Sequence, residues 1–270
     1  MSDTQNAVEQ TAKDDVKQQK TGLGTRLGYG PIAAVLVGLG SFFVAQVAAV
    51  VVMMLVLGLA GWDSDRIDAW FRSSNFATFA ASLGVSVFML VLLTVFLRRR
   101  KTHIRAIGLV RHKLEDIFYG MGGLLVYFVL TVLVVGVVKY FVPGLDLEQQ
   151  QELGYSKDVV GPALVVAFLG LVILPPLAEE ILFRGFLYTG LRSKLPVFVA
   201  AIITSILFGV AHLQWGSENP LHWAAALDTL VLSFVLIYLR QTRRSLWPAI
   251  YLHMFKNGYA FLALFVFKVV

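Results

Sequence analysis

Long uninterrupted apolar runs, with the charges confined between them, constrain this chain more than any other feature. A helix rises about 1.5 Å per residue, so about 20 apolar residues cross the roughly 30 Å hydrocarbon core of a bilayer. Such runs fall at 31–60, 76–97, 117–142, 159 to about 191, 196–215, 223–239 and 246–270. The reading is an all-α, polytopic transmembrane helix bundle of seven spans. It becomes eight if the last run is two short segments hinged at Lys256-Asn257-Gly258. Composition agrees, with 57% apolar and 15% charged residues and a mean hydropathy of +0.73. Soluble domains run near about 45–50% apolar and about 25% charged. No internal repeat is visible, and no run alternates with the period of a membrane barrel strand.

Residues 1–24 are polar and mixed in charge, cannot bury enough surface to fold, and read as a disordered tail. Asp3, Glu9, Asp14 and Asp15 do not suit the start of a secretory signal. The following run also exceeds the apolar core of such a signal, so it is expected to be a span and not a cleaved leader. Beyond the tail, 25–142 forms a three-span region and 143–270 a four-span core.

Lys and Arg set the expected orientation. The second connection carries Arg98, Arg99, Arg100, Lys101, Arg105, Arg111 and Lys113; the fourth Arg192 and Lys194; the sixth Arg240, Arg243 and Arg244. The third holds Asp146, Glu148, Glu152 and Asp158 against Lys157, and the fifth (216–222) has neither Lys nor Arg. Basic loops alternate with the others, which puts the amino terminus in the cytoplasm and, with seven spans, the carboxyl terminus outside. Topology thus accounts for the net charge of +6 and pI near 9.5 without a nucleic-acid partner. The stretch 102–113 interleaves apolar and basic residues and is expected in the headgroup region, against anionic lipid. The absence of cysteine excludes disulfides, thiol catalysis and Cys-based zinc sites.

A charge at mid-membrane costs at least ~2.5–3.5 kcal/mol, so each one demands a partner or a task. The exceptions to otherwise clean spans cluster in the C-terminal half: Glu179, Glu180 and Arg184 in the fourth span, His212 in the fifth, Asp228 in the sixth, and His253 with Asn257 in the seventh. Glu180 and Arg184 are i and i+4 with the acid first, the favourable order for a pair. Glu179 has no partner on its own helix and is the candidate general base. His253 and Asn257 share a face one turn apart, and His212 ends a Phe208-x-x-x-His212 face. Asp228, near the end of its span, reads as solvated or as a helix cap. Counted from the basic ends, Glu179 lies about 20 Å deep, Glu180 about 18 Å, His212 about 24 Å, Asn257 about 20 Å and His253 about 13 Å. The polar groups share a mid-membrane layer. Pro175-Pro176, just before them, frees backbone carbonyls that a membrane tolerates only beside protein or a water cavity.

The strings Glu179-Glu180-x-x-x-Arg184, Phe208-x-x-x-His212 and His253-x-x-x-Asn257, in this order on separate spans, resemble the motifs of the CPBP family. That family comprises the CAAX prenyl proteases and related bacterial intramembrane proteases and bacteriocin-immunity, Abi-like, proteins. The resemblance covers roughly 159–270; the first three spans carry no motif. It implies an intramembrane endopeptidase in a cell membrane, by expectation the bacterial plasma membrane, acting on membrane-anchored or lipidated substrates. Carried over, Glu179 would activate water, His212 would help hold it, and His253 with Asn257 would stabilise the oxyanion. Glu180, Arg184 and Phe208 would support them. Members usually show a Thr-Gly-Ser-Leu-like turn before the last motif, where this chain has Thr242-Arg243-Arg244-Ser245-Leu246. Metal dependence stays open. Glu179, His212 and His253 are a conceivable zinc set, but a zinc protease also wants a separate base, so a metal-free glutamate mechanism is favoured. Two other readings compete: a non-catalytic scaffold or immunity protein that keeps the polar cluster for packing, and a proton-coupled transporter. Against the transporter, no inverted repeat is visible.

Overall fold

The computed structural model of the chain describes residues 27–147, 153–156, 158–213 and 223–268. The expected tail at 1–24 and the fifth connection at 216–222 lie outside the described residues. Every element among the described residues is helical. In chain order they are α1 (Pro31–Leu59), α2 (Ser64–Ser73), α3 (Asn75–Arg99), α4 (Glu115–Phe141), α5 (Pro162–Arg192), α6 (Val197–Ala211), α7 (Trp223–Arg243) and α8 (Trp247–Val266). Six of them, all but α2 and α6, are long and apolar enough to cross a membrane. The chain is a multi-pass membrane protein.

Two differences from the sequence reading have simple causes. First, α8 runs unbroken through Lys256-Asn257-Gly258, so the last run is one span and not a hinged pair. A single glycine costs a helix only about 1 kcal/mol, which packing overrides. Second, the fifteen residues between the first two spans contain α2, an amphipathic helix that length-based span counting passes over. Asp63 caps it by accepting from Arg66 N at 2.8 Å.

Lipid-facing and protein-facing surfaces differ in side-chain size more than in polarity. On α1 the buried positions are Ala34, Gly38, Ser41, Ala45 and Ala49, a stripe of small residues at helical spacing. Large ones such as Phe43, Val47 and Leu55 point outward to lipid. Hydrophobic burial does not drive association inside a bilayer, so close backbone approach along small residues holds helices together. Gly120 shows this between α4 and α8. A Cβ there would lie 2.7 Å from Tyr251 Cβ and 3.2 Å from the Pro248 carbonyl oxygen.

The bundle is organised around α5. Every residue from Leu182 to Leu191 is buried, and the principal core joins Phe183, Phe186 and Leu187 to residues of α1, α3 and α6. Tyr29, just before α1, stacks on Phe186 at 4.5 Å and donates to its carbonyl at 2.9 Å. The segment 102–113 is tied to the protein more than an interfacial stripe would be. Ala106 and Ile107 are buried, Gly108 O accepts from Leu246 N, and Trp247 Nε1 donates to Val110 O at 2.8 Å. In the turn before α8, Arg244 takes φ 54°, the left-handed conformation that favours glycine. This is the place where the resembling motif carries its glycine.

The α4–α8 contact predicts a size threshold. Gly120→Leu forces apart two backbones and is expected to lower the unfolding temperature by roughly 3–10 °C. Gly122→Leu, where an added Cβ meets nothing within 4 Å, leaves it unchanged within error. Thermal unfolding in detergent or nanodiscs reads both.

Candidate active site

Helix α5 departs from α geometry twice, on either side of the carboxylates. It has wide π turns at Leu169–Ile173 and Glu180–Leu187, with Leu174–Glu179 between them. Pro175 and Pro176 open that middle piece. The Leu171 carbonyl would take its hydrogen from residue 175 in an α turn or from 176 in a π turn, and both are proline. The Gly170 carbonyl fares no better, because Leu174 N donates to Leu169 O and residue 175 has no N–H. Neighbouring helices fill both vacancies. Asn257 Nδ2 on α8 donates to Leu171 O at 2.9 Å, and Ser82 Oγ on α3 donates to Gly170 O at 3.2 Å. The carbonyls that the two prolines free are therefore bonded by side chains from both halves of the chain.

One turn beyond the kink the predicted polar residues converge. Glu180 and Arg184 are fully buried and paired at 2.8 Å. The same Glu180 oxygen, Oε1, accepts from His253 Nδ1 at 2.9 Å. His212, at the end of α6, is fixed through Nδ1, which lies 2.8 Å from Phe208 O. A carbonyl can only accept, so this nitrogen carries the hydrogen. Both imidazoles then present Nε2 to one atom, Glu179 Oε2, at 3.8 Å from His212 and 3.9 Å from His253. Glu179 and His212 keep about a fifth of their side-chain surface open, whereas Glu180, Arg184 and His253 are sealed. Two adjacent carboxylates thus meet different surroundings, one locked into an ion pair and one facing open space.

Phe208 packs the group together. The Arg184 guanidinium sits over its ring at 4.1 Å, and Phe183, His212 and His253 lie at 4.9, 4.5 and 5.9 Å. Glu179 also lines a cavity of about 230 Å³ that reaches toward α1 and α3.

As arranged, Glu179 and the two histidines stand wider apart than the ligands of an ideal tetrahedral zinc ion. Zinc holds N and O ligands at about 2.0–2.2 Å, which sets neighbouring donors about 3.4 Å apart in a tetrahedron. The Glu179–histidine separations exceed that, and no group of three His, Cys, Asp or Glu among the described residues could hold an ion.

Two parts of the neighbourhood escaped the sequence reading. Asp228 is not a cap: its side chain stays about a quarter open, accepts from the Tyr127 hydroxyl on α4 and pairs with Lys256 Nζ on α8 at 2.8 Å. Lys256, three residues past His253, was itself a charge at span depth and thus the available signal. Its partner on another helix could not be read from spacing. Gln46 and Ser82, on the spans without a motif, gave no signal at all.

The shared Glu180 carboxylate makes a stability prediction. Arg184→Met leaves a buried carboxylate with half its partners and is expected to destabilise the fold by about 3–5 kcal/mol. Adding Glu180→Gln removes the orphaned charge and recovers at least half of that loss. Chemical or thermal unfolding of the single and double variants measures it.

Comparison with known proteins bears on the same segment. Residues 161–259 match the family model of type II CAAX prenyl endopeptidase Rce1-like proteins. YdiL of Bacillus subtilis (strain 168), named as a candidate membrane peptidase, is 25% identical over 126 residues. That stretch is 47% of this chain and 48% of the relative, so the chain spans about half of that relative's length. The UPF0177 protein YxdF of Lactococcus lactis subsp. lactis (strain IL1403) is 29% identical over 176 residues, 62% of this chain and 88% of the relative. No solved structure matches significantly. The matched segment holds Glu179, Glu180, Arg184, Phe208, His212, His253 and Asn257 together. Over residues 161–259 the chain is similar to the type II CAAX prenyl endopeptidase Rce1-like family, and the resemblance read from the three strings is borne out.

Proposed function

We propose that this protein is an intramembrane endopeptidase of the CAAX protease-like kind, hydrolysing peptide bonds of membrane-anchored or lipidated substrates in a bacterial plasma membrane. The observation that carries the reading is the convergence of His212 Nε2 and His253 Nε2 on Glu179 Oε2, at separations too long for a direct hydrogen bond and short enough for one water, seated beside the three atoms, to reach them all. The Rce1-like match and the name of YdiL support the same reaction class.

In this mechanism Glu179 is the general base that takes a proton from the attacking water. His212, whose Nδ1–H is held by Phe208 O, offers the Nε2 lone pair that positions that water. His253 is held through Nδ1 by Glu180, whose carboxylate offsets charge on the ring. Protonated from solvent before the water attacks, its Nε2–H donates to the oxyanion, and the proton on Glu179 passes to the amide nitrogen as the C–N bond breaks, releasing an amine and a carboxylic acid. Asn257 uses one amide hydrogen on Leu171 O, which fixes its orientation, and keeps a second N–H for the same oxyanion. Arg184 and Phe208 touch no reacting atom; they position Glu180 and the two rings. No metal takes part in these steps, in keeping with the spacing of the donors.

The test is cleavage of a panel of peptides anchored by one transmembrane segment, using the full chain in nanodiscs. Glu179→Gln is expected to lower kcat at least 100-fold while the unfolding temperature stays within a few degrees. A metal chelator should leave the wild-type rate unchanged within twofold. Full activity in Glu179→Gln would reject the assignment of the base, and loss of activity on chelation would reject the metal-free mechanism.

A further inference from the structure

The cavity beside Glu179 is walled mainly by helices that lie outside the segment similar to the peptidase family. Gln46 and Phe42 come from α1, and Ser82, Ser86 and Met89 from α3, with Pro175 and Glu179 on α5. At about 230 Å³ it is smaller than the roughly 300–1,000 Å³ of sites that enclose a drug-sized ligand. It takes a short stretch of chain.

Its polar atoms are few and placed together. Gln46 is the one amide side chain in the 29 residues of α1, and it lines the exposed edge of this cavity. Its Nε2 makes only a long 3.4 Å contact with Phe42 O, which leaves its carbonyl and second hydrogen for other partners. On α3, Thr78, Ser82 and Ser86 follow at i, i+4 and i+8, along one face. Thr78 Oγ1 donates to Gly154 O at 2.8 Å and Ser82 Oγ to Gly170 O at 3.2 Å. Two members of the stripe thus serve backbone carbonyls that irregular chain leaves exposed. The third, Ser86, is buried at 6% exposure and lines the cavity one turn further along.

A peptide bond can be hydrolysed only where the backbone has left its helix. Inside a bilayer, each backbone group so freed needs a partner from protein or water. Gln46 and Ser86 are the groups that can supply it beside Glu179. We propose that the α1–α3–α5 cavity binds the unwound, extended stretch of a membrane peptide next to the scissile bond. Gln46 and Ser86 pair with its backbone, so the N-terminal spans determine which peptides are cut. The inference rests on the endopeptidase reading above and adds its specificity residues.

Two measurements test it on the full chain in nanodiscs. In the first, helix-anchored quenched fluorogenic peptides with varied residues around the scissile bond are assayed with wild type, Gln46→Leu, Ser86→Ala and Glu179→Gln. Gln46→Leu and Ser86→Ala should each lower kcat/KM roughly tenfold and change the rank order among peptides. If both variants keep rate and rank within twofold while Glu179→Gln is inactive, this inference falls and the catalytic reading stands. If wild type cleaves none of the panel, the endopeptidase reading falls, and this one with it. The second measurement does not depend on turnover. The chain has no cysteine, so Ser86→Cys in a Glu179→Gln background carries one thiol. A water-soluble methanethiosulfonate should label it, and an anchored peptide should slow labelling at least fivefold, while Arg72→Cys on the exposed α2 stays unprotected. Equal labelling of Ser86→Cys with and without peptide would overturn the proposal.

Discussion

A backbone carbonyl that loses its donor inside a membrane has no water to turn to, and this protein arranges much of its interior around two of them. Gly170 and Leu171 are left unpaired by the prolines that follow, and they are bonded by Ser82 from α3 and Asn257 from α8. Those bonds fix two helices to one point of α5. Glu179 and Glu180 follow about two turns later, so the carboxylates inherit a position set from two sides. A straight helix would have needed neither partner and would have held the acids less rigidly.

The adjacent acids divide their tasks through their surroundings. Glu180 is closed off by Arg184 and His253 on a single oxygen, in a pocket roofed by the Phe208 ring. Glu179 faces both imidazoles and an open cavity. Breaking the buried trio would strand a charge in apolar surroundings, a much larger penalty than the pair gains by forming. Its worth lies in the geometry that it imposes on His253.

Much of this was legible in the chain because membranes simplify the code. Run length sets the spans, and an ionisable residue in a run is an anomaly that must be explained. Glu179, Glu180, Arg184, His212, His253 and Asn257 were all visible as such anomalies. Helical spacing also predicted the Glu180–Arg184 bond. What spacing cannot supply is which helices are neighbours. The Tyr127–Asp228–Lys256 cluster joins α4, α7 and α8, so Asp228 read alone resembled a cap. Asn257 was expected in the same layer as the acids, yet its bond to Leu171 depends on an irregular turn of α5, which leaves no mark in hydropathy. Gln46 and Ser82 are ordinary polar residues in apolar helices until their neighbours are known.

The two wide turns in α5 carry a consequence for how such a protein can change over time. A π turn holds one residue more than an α turn, and this extra residue sets the register of everything after it. Substitution can alter which side chain occupies a position on α5, but only a gain or loss of a single residue can alter where the positions face. A one-residue deletion between Leu169 and Glu179 would carry Glu180 into the place of Glu179, beside the histidines, and Glu179 into that of Ala178, leaving the Arg184 partner's place to an isoleucine. The spacing of this helix is therefore less tolerant of length change than of altered chemistry, the reverse of what holds in a surface loop.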